Sequence, residues 1–194
     1  EPFYTAPLLP QYHHNPPFAI GLQSLWFRAF GDHLYVERTY DAACTVAVVL
    51  LIVAIWKQLV PPTASTGTAW LPILLWLAPP IVSWTMVGNM HETTLIVFTT
   101  AAVAAVVTAT GSAGRGRAAA WGAVSGGCVV AGALTKGPVA FFPLAAPVLL
   151  FLLGDRRERG RLERCGFVLA GQLLAVSIAA IAIFSWQRKL LSER

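Results

Sequence analysis

Polar side chains that could do chemistry are few in this chain, and they occur at three places. Two adjacent histidines precede a proline pair, a histidine and a glutamate follow an asparagine between two apolar runs, and one lysine occupies a short turn. These candidate residues are His13, His14, Asn15, Asn89, His91, Glu92 and Lys136. Adjacent histidines can ligate a metal ion, although two in a row point in different directions, and a lysine ammonium near a membrane can hold a lipid phosphate. The sequence therefore offers a candidate substrate or metal site.

Lys136 and Glu92 each have a purely structural alternative. A lysine at the end of an apolar run can extend its ammonium to the membrane interface without binding anything. A glutamate at the start of a helix is stabilised by the helix dipole. At the level of the residues alone, both alternatives stay open.

Several function classes are excluded by the motifs that the sequence lacks. It contains no GxSxG element, P-loop or dinucleotide-binding fingerprint. Cys44, Cys128 and Cys165 lie within or beside apolar runs without metal-ligand spacing, which predicts buried thiols. The net charge of +5 comes from basic residues at the ends of apolar runs rather than on one face, so we expect no nucleic-acid partner.

The elements that must position these residues are predicted to be membrane-spanning helices. Hydrophobic residues make up 56% of the 194 residues and charged residues 12%, about half the charge of ordinary soluble domains. Six apolar runs cover 42–60, 69–87, 93–110, 118–134, 138–153 and 165–186. Most approach the roughly 20 residues that a helix needs to cross the hydrocarbon. We therefore expect an all-α polytopic membrane protein, with a bundle over 42–186 and a polar tail over 187–194.

Two of these runs are relevant to two other interpretations, a span that is not straight and a soluble helical bundle. Run 138–153 is short and contains Pro143 and Pro147, so it could be tilted, kinked or re-entrant. A soluble helical bundle would need polar stripes at helical spacing, and run 93–110 has none.

The charges of the connecting loops predict the orientation. The first, third and fifth loops carry the basic residues Lys57, Arg115, Arg117, Arg156, Arg157, Arg159, Arg161 and Arg164. The positive-inside rule makes these loops cytoplasmic and puts residues 1–41, 88–92 and 135–137 outside. Arg188, Lys189 and Arg194 count against this orientation, since they too would lie outside.

The external segment 1–41 is expected to contain one short amphipathic helix over 17–30. Pro17 suits the first helical position, Gly31 suits the end, and apolar residues recur every three or four positions between them. A helix of this length is too short to span and suits the membrane interface. An external segment of 41 residues needs a preceding membrane helix to carry it across, so we expect one upstream of Glu1.

Three groups of residues carry a resemblance to a known family. The run EPFYTAPLLPQYHHNPPFAIGLQSLWFRAFGDHLYVERTYDA contains His14-Asn15-Pro16-Pro17 and Phe27-Arg28-Ala29-Phe30-Gly31. The second group is the stretch from Trp70-Leu71-Pro72 through Gly88-Asn89-Met90-His91-Glu92-Thr93, and the third is Leu134-Thr135-Lys136-Gly137-Pro138. In order and spacing these resemble bacterial membrane glycosyltransferases of the dolichyl-phosphate-mannose protein mannosyltransferase family, which also contains the lipid A aminoarabinose transferase.

The resemblance implies a GT-C-like helical bundle in the bacterial inner membrane with its site on the extracytoplasmic face. Such enzymes transfer a sugar from a polyprenyl-phosphate carrier to an external lipid, protein or glycan acceptor, here by an inverting-type reaction. Lys136 matches the lysine that would hold the carrier phosphate. The catalytic Asp of the family would lie upstream of Glu1, so we expect none here and an inactive fragment. His14 replaces a Glu that can ligate a metal, and Asn15 replaces Lys or His, which leaves a divalent metal cofactor open.

Two other functions compete with glycosyl transfer. A transporter or flippase subunit for lipid-linked sugars would carry charged residues deep within its spans, and these runs carry almost none. A structural membrane protein without a ligand would have no use for Lys136 or for the His13-to-Pro17 segment.

Overall fold

The computed structural model describes residues 18–31, 33–87, 91–153 and 159–192, and these are almost entirely helical, with no strand among them. The helices are α1 (Phe18–Phe30), α2 (Leu34–Leu59), α3 (Pro62–Thr68), α4 (Trp70–Leu77), α5 (Pro80–Val87), α6 (His91–Gly111), α7 (Arg115–Lys136), a 3₁₀-helix (Gly137–Ala145), α8 (Ala146–Leu153) and α9 (Arg159–Ser192). The prediction of an all-α membrane protein is confirmed.

Helix α1 lies where the short amphipathic helix was expected, and α2 follows it after a sharp turn. Gly31 has a φ of +93°, a left-handed conformation that glycine adopts without steric cost. Helix α2 begins at Leu34, eight residues before the apolar run that predicted it, so its first two turns carry Glu37, Arg38 and Asp41.

The core is made by α6, α7 and α9, which approach one another closely because glycines face the contacts. A Cβ atom added to Gly122 would lie 2.3 Å from the carbonyl oxygen of Val168, and one on Gly171 would lie 2.3 Å from that of Ala119. Small residues at such crossings let helix backbones pack directly in membrane proteins. Side chains larger than glycine would therefore separate α7 from α9.

A buried polar chain joins the same helices to the 3₁₀-helix. Gln172 of α9 donates from Nε2 to the hydroxyl of Ser125 at 2.8 Å and to the carbonyl of Pro143 at 3.4 Å. Ser125 in turn donates to the carbonyl of Ala102 at 2.9 Å. Gln172 and Ser125 are both fully buried, so these hydrogen bonds satisfy groups that would otherwise be costly inside a membrane protein.

The chain reverses direction after α7. Gly137 has a φ of +79°, and the following 3₁₀-helix returns along α7, so that a Cβ on Gly132 would lie 3.0 Å from the Cβ of Ala140. Further along the return leg, Ala146 and Leu150 of α8 pack against the buried cluster that contains Ala118, near the start of α7. The predicted turn at 135–137 is therefore a tight reversal.

The described residues contain four helical stretches long and apolar enough to cross a membrane, fewer than the six spans predicted. The four helical stretches long and apolar enough to cross are Tyr35–Leu59, His91–Gly111, Arg115–Leu153 and Gly160–Trp186. Run 69–87 breaks at Ala78 and Pro79 into α4 and α5, of 8 residues each, because proline lacks the amide hydrogen that continues a helix. Runs 118–134 and 138–153 fall within one stretch, Arg115–Leu153, which folds back on itself at Gly137.

Large apolar side chains on the outside of the bundle explain why it needs a bilayer. More than half of the side-chain surface is exposed at Leu75, Trp84, Leu174 and Ile181, for example. Water would not tolerate so much contiguous apolar surface, whereas lipid chains cover it without cost.

Candidate functional site

Glu92 and Lys136 form an ion pair between two helix ends. Glu92 is the second residue of α6 and Lys136 is the last residue of α7, and the Lys136 ammonium donates to Oε1 of Glu92. The helix dipoles stabilise a carboxylate at the start of α6 and an ammonium at the end of α7. Their side chains are 33% and 34% exposed, so the pair stays accessible from one end of the bundle, which we call the lysine end.

Buried hydroxyl groups fix the first turn of α6, on which Glu92 lies. The Tyr40 hydroxyl of α2 is 2.8 Å from the Thr94 hydroxyl, and Thr93 donates to the carbonyl of Thr85 in α5 at 3.1 Å. All four residues are buried. Helices α2 and α5 therefore hold the first turn of α6 in place, and Glu92 on that turn positions the Lys136 ammonium.

Helix α1 lies over the same end of the bundle. The Phe18 ring contacts that of Phe98 in α6, with 5.7 Å between centroids. Trp26 donates from its indole to Thr39 at 3.2 Å and lies edge-on to Tyr40, with centroids 5.9 Å apart. The short helix therefore belongs to the lysine end through contacts with both α2 and α6.

An apolar groove runs between α1 and the last turns of α7. Its volume is about 510 Å³, and its lining residues are Phe18, Gly21, Leu22, Ser24, Leu25 and Leu134. Leu134 and Lys136 both belong to the last turn of α7, so the groove and the ammonium lie at the same end of the bundle. A hydrocarbon groove and a cation at one end of a bundle suit a ligand with an apolar chain and an anionic head.

Comparison with known proteins identifies the family. The model of the dolichyl-phosphate-mannose-protein mannosyltransferase family matches residues 14–191, which is most of the chain. The chain belongs to this family. The resemblance found in the sequence is thereby confirmed, and with it the general activity of the family, a membrane glycosyltransferase that uses a polyprenyl-phosphate sugar donor and an acceptor. No curated protein and no solved structure matches the chain significantly.

In this mannosyltransferase-family protein, three of the seven predicted site residues can be described. His91, Glu92 and Lys136 lie together at the lysine end. His91 is partly buried, and its Nδ1 is buried with no hydrogen-bond partner among the described residues. His13, His14, Asn15 and Asn89 lie outside the described residues.

The described residues of this family member do not form a metal site by themselves. Residues 18–31, 33–87, 91–153 and 159–192 contain no group of three or more His, Cys, Asp or Glu side chains that could hold a metal ion. Since a protein metal site usually needs at least three ligands, these residues do not form one by themselves. His14, outside the described residues, stays a candidate ligand.

The sequence interpretation missed Asp41, a buried acid close to the site. Asp41 is 2% exposed and follows Tyr40, which contacts the first turn of α6. The interpretation started the first span at residue 42, one position later. Acidic residues inside membrane helices are rare and are usually functional, so extending the helix upstream would have drawn attention to Asp41.

Proposed function

We propose that this chain forms the carrier-binding region of a bacterial membrane glycosyltransferase, with Lys136 holding the phosphate of a polyprenyl-phosphate sugar. The observation that carries the proposal is the accessible Lys136 ammonium, at the same end of the bundle as an apolar groove of about 510 Å³ whose lining includes Leu134 of the same helix turn. The groove would take the first isoprene units, and the ammonium would bind the charged head.

Lys136 would act on the leaving group during transfer. An acceptor hydroxyl attacks C1 of the sugar from the face opposite the phosphate, the C1–O bond to the phosphate breaks, and the carrier phosphate leaves with an additional negative charge. A fixed ammonium beside that phosphate stabilises the charge as it develops, which is preorganised electrostatic stabilisation. The acceptor proton goes to a base, the role that an external Asp has in relatives.

The site is proposed to face the extracytoplasmic side of the bacterial cell membrane. Arg115 bonds to Glu163 at 2.5 Å and Arg164 donates to the carbonyl of Thr110 at 2.9 Å, so the arginine-rich starts of α7 and α9 meet at the end opposite Lys136. Basic residues concentrate on the cytoplasmic side of membrane proteins. The positive-inside rule therefore supports an extracytoplasmic lysine end.

A transporter or flippase subunit for lipid-linked sugars is less well supported by the same residues. Such a protein needs charged or strongly polar groups along a path through the bilayer. Helix α6 carries no charged residue from Thr93 to Gly111, and its buried residues are alanines, valines, threonines and one leucine.

Carrier binding by Lys136 can be tested directly with radiolabelled polyprenyl phosphate and the purified protein in nanodiscs. Loss of a charge-assisted hydrogen bond costs about 1.5–3 kcal/mol, so Lys136→Ala should weaken binding by roughly tenfold or more. Lys136→Arg should retain most of the affinity because it keeps the charge.

Two controls make the binding experiment specific. Lys57→Ala removes a lysine from the far end of α2 and should leave binding unchanged. A polyprenol without phosphate should bind wild type and Lys136→Ala equally. If Lys136→Ala binds polyprenyl phosphate as tightly as wild type does, Lys136 has no role in holding the carrier.

A further inference from the structure

A second groove lies at the opposite end of the bundle from the carrier site, between α8 and α9. Its volume is about 380 Å³, and its lining residues are Pro147, Val148, Phe151, Leu162, Glu163, Cys165, Gly166 and Leu169. Both helices belong to stretches that are long and apolar enough to cross a membrane. A groove between two such helices is one that the acyl chains of a bilayer can reach.

Arginines are concentrated in the helix turns at this end of the bundle. The first two turns of α7 and α9 contain five arginines and one acid, Glu163, and the arginines are Arg115, Arg117, Arg159, Arg161 and Arg164. We call this the arginine end. Glu163 itself lines the groove but is paired with Arg115 at 2.5 Å, so its charge is neutralised locally.

Two of these guanidinium groups have fixed positions, and their contacts use only part of their N–H donors. Arg115 donates one N–H to Glu163 and stacks 5.6 Å over the Phe167 ring, while 66% of its side chain is exposed. Arg164 donates its Nε to the carbonyl of Thr110. A guanidinium has five N–H donors, so both can still contact a phosphate.

We propose that the α8–α9 groove binds one anionic phospholipid, with an acyl chain in the groove and the phosphate against the arginine end. Apolar lining residues favour a lipid chain over any soluble anion. The excess of arginine favours an anionic headgroup over a zwitterionic one, whose ammonium group the arginines would repel. The inference does not depend on the carrier site at the lysine end.

The groove can be closed by a single substitution that should not disturb the fold. A Cβ added to Gly166 meets no atom within 4 Å, so Gly166→Leu would project into the groove without a clash at its Cβ. Gly127 of α7 is equally open and lies outside the groove, which makes Gly127→Leu the matched control.

The experiment compares phosphatidylglycerol with phosphatidylcholine bound to the purified protein, measured by native mass spectrometry after equal lipid is added in detergent. Wild type and Gly127→Leu should retain phosphatidylglycerol preferentially, and Gly166→Leu should lose most of it. Arg161→Gln should weaken phosphatidylglycerol binding by about fivefold, since one basic residue near an anionic headgroup contributes on the order of 1 kcal/mol.

Three results would overturn the proposal. One is equal retention of the two lipids by wild type. Another is an unchanged lipid content in Gly166→Leu at a melting temperature equal to that of Gly127→Leu. The third is displacement of phosphatidylglycerol by millimolar inorganic phosphate, which would mean that the arginines bind the headgroup without any contribution from the groove.

Discussion

At the scale of single residues, the Glu92–Lys136 pair determines how available the lysine charge is. The two side chains are 44 positions apart in sequence and meet because α6 begins where α7 ends. Both were candidates from the sequence, where each had a structural explanation of its own. The ion pair joins these into one unit, in which Glu92 orients the ammonium and also competes with any phosphate for it.

Removing the competing carboxylate should tighten carrier binding. In Glu92→Gln the amide can still accept a hydrogen bond from Lys136, while the negative charge that repels a phosphate is gone. A unit charge about 4 Å away is worth ~1 kcal/mol in water and more in a partly buried site. We expect the dissociation constant of polyprenyl phosphate to fall by about fivefold or more. Glu163→Gln, at the arginine end, is the control and should change nothing; weaker binding in Glu92→Gln would mean that orientation outweighs competition.

At the scale of elements, the glycines of α7 and α9 decide how the helices that carry the site are spaced. A Cβ on Gly126 would lie 2.7 Å from the carbonyl oxygen of Gln172 and 2.8 Å from the Cβ of Ala175. Apolar runs predict that helices exist but not which faces meet, because lipid-facing and helix-facing residues are equally apolar in a membrane protein. Which glycines face another helix is therefore known only from the α7–α9 contact itself.

Substituting a contact glycine should destabilise the bundle where substituting an exposed one does not. Gly126→Ala forces α7 and α9 apart and should cost about 1–3 kcal/mol. Gly127→Ala, one residue further, meets no neighbour within 4 Å and should be neutral or stabilising by up to about 1 kcal/mol, since alanine is the better helix former. Unfolding in mixed detergent–SDS micelles measures both, and equal stability of the two variants would contradict the close contact.

At the scale of the whole molecule, the two ends of the bundle differ in their charged residues. The arginine end carries five arginines in the first turns of α7 and α9, whereas the lysine end carries the Glu92–Lys136 pair and an apolar groove. Arg188, in the last turns of α9, reduces this charge difference. Helix α6, which connects the ends, has 21 residues and is about 32 Å long, close to the thickness of the hydrocarbon. The proposed orientation follows from this charge difference.

The orientation predicts which positions react with a membrane-impermeant thiol reagent. Cys44, Cys128 and Cys165 are first replaced by alanine or serine, and single cysteines are placed at Asn89 and Ser112. Reagent added outside intact cells should label Asn89→Cys and leave Ser112→Cys unlabelled until the cells are lysed. The reverse pattern would put the lysine end in the cytoplasm and would remove the proposed extracytoplasmic transfer.

The sequence by itself determined the helical membrane class, the family and the position of Lys136 in a turn. These follow from the apolar runs, from the positions of proline and glycine between them and from short motifs. Each of these signals lies within a short segment of the chain. Asp41 was not identified as a buried acid because α2 begins before the apolar run that predicted it.

Only the tertiary structure decided how the pieces meet. It folded residues 137–153 back along α7, paired Lys136 with Glu92 and buried Gln172 against Ser125. Each of these depends on contacts between residues far apart in the chain, and hydropathy contains no information on which helix faces pack together. The physical reason is that lipid chains solvate every apolar helix face equally well. Close packing and hydrogen bonding between helices therefore select which faces meet.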